Sequence, residues 1–161
     1  MSEDKVQKYR QVTAQIESLL EGLSDPVAAM ASVAALVYDT HPAASWVGFY
    51  RVVAPELLRV GPYQGPVGCL EIEFGNGVCG AAARTLRTQI VADVHAFEGH
   101  IACDPASRSE IVVPVLGPDG ALKAVLDLDS RQPSAFDEVD AKHLERIVDA
   151  MTHVFDPELS G

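Results

Sequence analysis

The chain lacks an apolar run long enough to cross a membrane, and it lacks the basic and apolar segments of a secretory leader. A membrane-spanning helix needs about 20 consecutive apolar residues, but polar or charged residues interrupt every apolar stretch of this sequence. The first five residues, Met-Ser-Glu-Asp-Lys, are polar and acidic. We therefore expect a cytoplasmic protein with no membrane partner.

Basic residues are also scarce, with 12 Lys and Arg against 23 Asp and Glu and a formal net charge of −11. Phosphate backbones and anionic lipids are bound by clustered lysine and arginine. The charge balance therefore argues against nucleic acid as a partner. A length of 161 residues with 48% hydrophobic residues is typical of one globular domain. We expect a single domain over residues 1–161, with an N-terminal helix over 1–24 and a core over 25–155.

There are only three cysteines, Cys69, Cys79 and Cys103, and no Cys-x2-Cys pair. Their odd number argues against a framework of structural disulfides, and their spacing differs from that of common zinc modules. We therefore expect neither a metal nor an organic cofactor. A zinc site that combines the cysteines with nearby histidines is a weaker alternative. The pattern leaves open whether these thiols are buried apolar groups or reactive ones.

Helices are predicted mainly at the two ends of the chain. Apolar residues recur every three or four positions over 4–22, and Asp25-Pro26 begins a second helix that extends to about Tyr38. A short helix over 78–86 follows a glycine turn, and a final amphipathic helix covers 136–155.

Six strands are predicted at 45–52, 57–63, 69–74, 88–92, 110–116 and 122–129. Most are joined by short turns, which indicates an α+β domain with an antiparallel sheet and its helices gathered to one side. Residues 93–108 have no clear period. A polar loop of this length within a compact domain is usually functional.

Cys103 lies in that long loop, where a substrate can reach it more easily than a core cysteine. A reactive cysteine needs a neighbour that favours the thiolate. His95 and His100 are close in sequence, whereas the adjacent Asp104 disfavours the thiolate. A structural role for these histidines is the more common alternative.

The stretch Val-Leu-Asp-Leu-Asp-Ser at 125–130 places two carboxylates on one face of a strand. Asp127 and Asp129 repel each other unless a proton or a cation relieves them, and Glu110 begins the predicted partner strand. A ligand with an ammonium group would neutralise such a cluster, although a solvated strand face is the commoner outcome. Trp46 and Tyr50 are either core residues or the wall of an apolar pocket.

Six motifs together resemble the free methionine-(R)-sulfoxide reductases, a family built on the GAF domain. They are Ser-Trp-Val-Gly-Phe-Tyr at 45–50, Gly-Pro-Tyr-Gln-Gly at 61–65, Phe-Gly-Asn-Gly-Val-Cys-Gly at 74–80, Val-Ala-Asp-Val-His-Ala-Phe-Glu-Gly-His-Ile-Ala-Cys-Asp at 91–104, Ser-Glu-Ile-Val-Val-Pro at 109–114 and Val-Leu-Asp-Leu-Asp-Ser at 125–130. The resemblance extends from about residue 30 to residue 150. The motif that contains Cys103 is highly specific, since a generic GAF sensor would not carry it together with both other cysteines.

The resemblance implies a six-stranded antiparallel sheet flanked by N- and C-terminal helices, and an enzyme that reduces free methionine-(R)-sulfoxide. It implies that Cys103 attacks the sulfoxide sulfur. It also implies that Cys69 resolves the oxidised thiol, that Cys79 lies close by and can assist or substitute, and that thioredoxin reduces the resulting disulfide.

The same resemblance assigns the remaining site residues. Glu110, Asp127 and Asp129 would contact the substrate ammonium group or donate a proton, while Trp46 and Tyr50 would enclose the sulfoxide end. GAF domains often pair through their helices, so a homodimer is a further expectation. A non-catalytic GAF sensor of a small molecule or of redox state remains the alternative function.

Overall fold

The structure is a computed structural model that describes residues 2–100 and 103–156. Met1, residues 101–102 and residues 157–161 lie outside the described residues. They belong to the predicted domain, and residues 101–102 belong to the predicted loop before Cys103. Four α-helices and six strands make up the described part.

The four helices are α1 (Ser2–Leu20), α2 (Pro26–Thr40), α3 (Gly77–Thr85) and α4 (Glu138–Met151), and a 3-10 turn (Thr152–Phe155) continues α4. Asp25 caps α2 by accepting hydrogen bonds from the backbone amides of Val27 and Ala28. None of the helices described here combines the length and the apolar character that membrane crossing requires.

One antiparallel sheet contains all six strands of the described chain. They are β1 (Ala44–Ala54), β2 (Leu57–Gln64), β3 (Glu71–Glu73), β4 (Gln89–Val91), β5 (Ser109–Leu116) and β6 (Leu122–Ser130), in the order β3-β2-β1-β6-β5-β4. This confirms the predicted six-stranded α+β fold. The predicted strand over 69–74 was too long, because Cys69 is bonded to Cys103 and lies before the strand.

The two faces of the sheet carry two separate apolar cores. Helices α1, α2 and α4 pack on one face against residues such as Phe49, Leu126 and Leu128. Helix α3 packs on the opposite face, where Val78 and Ala82 belong to the second core. The expectation that the helices would gather on one side was therefore wrong for α3. An amphipathic pattern shows that a helix has a buried face, but it does not show which face of the sheet it covers.

A buried aspartate joins three helices on the first face. The Asp140 carboxylate accepts hydrogen bonds from the Tyr9 hydroxyl, the Lys5 ammonium group and the His41 ring, and it also closes a capping box with Asp137. Burial alone would raise the pKa of Asp140, but these donors lower it below its usual range. The network holds α1, the end of α2 and α4 together on this face of the sheet.

Candidate active site

A pocket lies on the face of the sheet that α3 covers. Its floor is formed by β5 and β6, its sides by β1 and the start of α3, and its rim by the segments 66–68 and 103–107. Strand alternation decides which residues it contains. Leu126 and Leu128 point into the helical core, whereas Asp127 and Asp129 face the pocket.

Strand register brings the three predicted acids together. Asp129 pairs with Trp46 of β1 on one side and with Glu110 of β5 on the other, while Asp127 pairs with Gly48. A Cβ atom at Gly48 would lie 2.6 Å from the Trp46 ring, so the glycine leaves room for the indole beside the acids. The sequence prediction that these carboxylates meet is therefore confirmed in geometry.

The acids lie in a protein environment with little solvent. Glu110 and Asp127 are buried, and Asp129 is half-buried. Burial, and then the charges of the neighbouring carboxylates, raise the pKa of each of the three well above its ordinary value. The cluster therefore retains protons at a pH at which exposed carboxyls have lost them.

Cys79 approaches the same acids from the first turn of α3. Its Sγ lies 4.0 Å from Oε2 of Glu110, and one potential ligand atom from each of Cys79, Glu110 and Asp127 lies within 4.8 Å of the other two. Burial and the adjacent carboxylates raise the pKa of the Cys79 thiol. Helix α3 enters this position through Gly77, whose φ of +66° suits glycine best. Cys79 is thus a buried thiol that belongs to the second apolar core and also contacts the acids.

Aromatic rings form one wall of the pocket. The ring of Trp46 stacks against Tyr50 with a centroid distance of 5.6 Å and against Tyr63 with one of 5.0 Å. The indole Nε1 donates a hydrogen bond of 2.9 Å to the carbonyl oxygen of Pro66. This satisfies the indole's only donor, so the ring presents an apolar surface to the pocket.

The rim is closed by a disulfide between Cys69 and Cys103, whose Cα atoms are 5.2 Å apart. Cys103 lines the pocket, and both cysteines are half-buried. The two cysteines are 34 positions apart in the sequence. Seven of the eight residues predicted for the site line the pocket directly, and Cys69 joins them through this bond.

Several pocket residues were not predicted as part of the site. Val67 and Gly68 line the rim, and a Cβ atom at Gly68 would lie 3.1 Å from the Tyr50 hydroxyl oxygen. Ser107 is buried in the pocket, and His100 also lines it. Partial burial and the neighbouring His95 lower the pKa of His100. The position of Gly68 directly before Cys69 was the available signal for this part of the rim, whereas nothing in the pattern around Ser107 indicated its position.

The raised pKa of Asp127 leads to a stability prediction. Between its unfolded pKa of about 3.9 and its higher folded pKa, the folded protein binds more protons than the unfolded chain, so stability falls as pH rises. We expect Asp127→Asn to raise the free energy of unfolding at pH 8 by about 0.5–2 kcal/mol, and this gain should disappear near pH 4. Urea unfolding at both pH values measures it.

The matched control is Asp119→Asn, because Asp119 is an exposed acid in the turn between β5 and β6. It should leave stability nearly unchanged at both pH values. A loss of stability in Asp127→Asn that is larger at pH 8 than at pH 4 would contradict the argument, since it would mean that the charged carboxylate is stabilising.

Comparison with known proteins agrees with this geometry. The family described as the GAF domain matches residues 10–156. The chain is 39% identical to the free methionine-R-sulfoxide reductase of Saccharomyces cerevisiae, over 89% of this chain and 83% of that protein.

Two solved structures are similar over nearly their whole length. The free methionine-R-sulfoxide reductase of Neisseria meningitidis in complex with its substrate is 43% identical with a TM-score of 0.90, over 97% of this chain and 92% of that one. The reduced form of the Staphylococcus aureus fRMsr is 42% identical with a TM-score of 0.86, over 92% and 95% of the two chains.

The match over 10–156, together with the six-stranded sheet and its pocket, defines a GAF domain. Within that class, the chain belongs to the free methionine-R-sulfoxide reductase family of enzymes.

Proposed function

We propose that the protein reduces free methionine-(R)-sulfoxide to methionine and that Cys103 is the attacking thiol. The observation that carries this proposal is the pocket, in which Cys103 faces three enclosed acids and an aromatic wall. Relatives that are 37–43% identical and bear the name of this activity support it. The R preference follows from those relatives.

The reaction starts from reduced Cys103. Its thiolate attacks the sulfoxide sulfur while a carboxylic acid donates a proton to the oxygen, which is a poor leaving group without it. The S–O bond of the substrate breaks as the oxygen is transferred to the Cys103 sulfur, two electrons pass to the substrate sulfur, and methionine departs, which leaves Cys103 as a sulfenic acid. General acid catalysis of this kind contributes roughly 10²–10⁴ in rate. The raised pKa of Glu110 suits the donor role at neutral pH.

The acids also provide recognition of the free amino acid. The α-ammonium group of the substrate supplies the positive charge that a cluster of carboxylates lacks. An ionised Asp127 or Asp129 would bind that group while another member of the cluster keeps its proton. Trp46 and Tyr50 would contact the methyl and sulfoxide end.

The second half of the cycle regenerates the thiol. The Cys69 thiol attacks the sulfenic sulfur of Cys103, water leaves, and the disulfide seen in this structure is the product. A dithiol protein such as thioredoxin then reduces it, which fits a reducing cytoplasm. Val67 and Leu70, which flank Cys69, are 79% and 71% exposed. They offer an apolar surface where the reductant would have to bind.

Replacing Cys69 by serine separates the two halves of the catalytic cycle, reduction of the sulfoxide and regeneration of the thiol. We expect Cys69→Ser to release about one equivalent of methionine per chain and then to stop with thioredoxin as reductant, because Cys103 can still be oxidised but has no resolving thiol. Rapid quench at stoichiometric enzyme measures the released methionine. Cys79→Ser is the comparison variant, since Cys79 is buried and is not part of the disulfide. Cycling of Cys69→Ser at the normal rate would make Cys79 the resolving residue.

The activity itself is tested with the separated R and S forms of the free sulfoxide. The assay couples turnover to NADPH consumption through thioredoxin and thioredoxin reductase. We expect turnover of the R form and none of the S form. Absence of turnover with either form would favour the alternative, a GAF sensor of a small molecule or of redox state.

A further inference from the structure

We propose that the pocket is also a zinc site, in which Cys79, Glu110 and Asp127 bind Zn²⁺ and the metal excludes the ammonium group of the substrate. These three residues are called the acid–thiol cluster below. Binding of the metal is independent of the proposed function, whereas inhibition by the metal rests on it. The cysteine spacing led us to expect no bound metal, and the zinc site proposed here would be an exception to that expectation.

The distances in the cluster suit zinc. In tetrahedral sites the metal lies about 2.3 Å from a thiolate sulfur and about 2.0–2.2 Å from a carboxylate oxygen, so a sulfur and an oxygen on one ion are separated by about 3.5 Å. Cys79 Sγ and Glu110 Oε2 are 4.0 Å apart, and the three ligand atoms lie within 4.8 Å of one another. Small side-chain adjustments therefore complete three positions, and water or Asp129 can fill the fourth.

One carboxylate oxygen of the cluster lacks a partner. Oδ1 of Asp127 is buried and accepts no hydrogen bond from any described residue, and the side chain is only 4% exposed. A buried acceptor without a donor is costly, and a bound cation relieves that cost. This oxygen belongs to a residue of the pocket floor, where an incoming cation would meet it.

Local charge favours the same occupant. Among the described residues that line the pocket, Cys79, Glu110, Asp127, Asp129 and Asp104 are acidic or thiol groups, and none is a lysine or an arginine. Asp104 is already paired with Arg131 at 3.3 Å, but a divalent cation would find negative partners without such a pair in the other acids and the thiol. The thiol selects a thiophilic ion such as Zn²⁺ over Mg²⁺ or Ca²⁺, which prefer oxygen ligands.

Oxidation of the two rim cysteines to the disulfide leaves all three zinc ligands in place. Cys69 and Cys103 are tied to each other in the disulfide, whereas Cys79 is free. The disulfide form therefore keeps all three members of the cluster. When Zn²⁺ binds, Cys79 gives up its thiol proton and the carboxyls give up theirs, and the protons pass to solvent. No electron transfer is involved.

The test uses the full-length, untagged protein in its disulfide form, free of reductant and chelator. Co²⁺ replaces Zn²⁺ as the spectroscopic probe, because a cobalt–thiolate bond gives a charge-transfer absorption in the near ultraviolet. We expect one Co²⁺ per chain with that absorption, and Zn²⁺ should displace it stoichiometrically. Cys79→Ser should abolish the absorption, and Asp127→Asn should weaken Zn²⁺ binding by at least about 10-fold. The control Asp119→Asn should bind as the wild type does.

Three results would overturn the proposal. They are the absence of any bound metal, a charge-transfer band that persists in Cys79→Ser, and Zn²⁺ affinity that is unchanged in both Cys79→Ser and Asp127→Asn. Circular dichroism of each variant confirms that lost binding is not lost folding.

Inhibition is measured separately in a single-turnover assay. The enzyme is reduced beforehand, so no reducing system is present during the reaction. Zn²⁺ should raise the concentration of sulfoxide needed for half-maximal release of methionine without lowering the maximum. If metal binds to the cluster but no sulfoxide is reduced, the proposed function fails and the zinc site stands. If sulfoxide is reduced and Zn²⁺ does not compete, the inhibitory role fails.

Discussion

Replacing Cys103 by serine should abolish the release of methionine from free methionine sulfoxide, with a rate loss of at least about 10⁴-fold. The hydroxyl of serine is almost entirely protonated at neutral pH and is a weak nucleophile toward sulfur. It also cannot accept the sulfoxide oxygen as a sulfenic acid does. Single-turnover quench with a large excess of Cys103→Ser enzyme measures this loss, because it needs no reductant.

A matched control separates chemistry from folding in this experiment. Cys103→Ser loses the disulfide to Cys69 as well as the nucleophile. Cys69→Ser loses the same bond and keeps Cys103, so its first turnover should be close to that of reduced wild-type enzyme. Methionine release by Cys103→Ser at a rate near that of Cys69→Ser would rule out Cys103 as the attacking residue.

Peptide-bound methionine sulfoxide should be a very poor substrate. Without an α-ammonium group, entry of the substrate would leave an ionised carboxylate of Asp127 or Asp129 enclosed and unpaired. An uncompensated buried charge costs about 3–5 kcal/mol, which corresponds to a loss of about 10²–10⁴-fold in kcat/KM. The raised pKa of each of these acids indicates how poorly the pocket tolerates their negative charge alone.

Two derivatives of the free sulfoxide make this prediction specific. The N-acetyl derivative removes the ammonium charge, while the methyl ester keeps that charge and removes the carboxylate. We expect the acetyl derivative to lose nearly as much kcat/KM as a peptide does, and the ester to lose less. Comparable turnover of free, acetylated and peptide-bound sulfoxide would show that the acids do not recognise the ammonium group.

Local patterns in the sequence predicted much of the fold. Apolar spacing and Asp25-Pro26 placed the N-terminal helices close to their observed bounds. The alternation around Asp127 correctly placed Asp127 and Asp129 on one face of a strand, and Leu126 and Leu128 lie on the other face in the helical core. These features depend on residues near one another in the chain, where periodicity and capping act directly.

The strands near the disulfide were less predictable. The segment over 69–74 alternates like a strand, but only Glu71–Glu73 pairs with β2. Cys69 is bonded to Cys103, a residue 34 positions away, and no local rule contains that constraint. No local rule predicted the position of α3 either, because its apolar residues pack on the face of the sheet that the other helices do not cover.

By itself, the sequence determined the approximate elements, their order, the position of Cys103 in a loop and the specific motif that indicates the family. Only the tertiary structure decided that Cys79 approaches Glu110 and that Asp127 has an oxygen without a donor, whereas the disulfide joins the two cysteines that the family resemblance had already paired. Strand register, the choice of sheet face and burial set those contacts. The pKa of each pocket acid depends on the register, on the sheet face and on burial, because desolvation and neighbouring charge arise only when distant parts of the chain pack together.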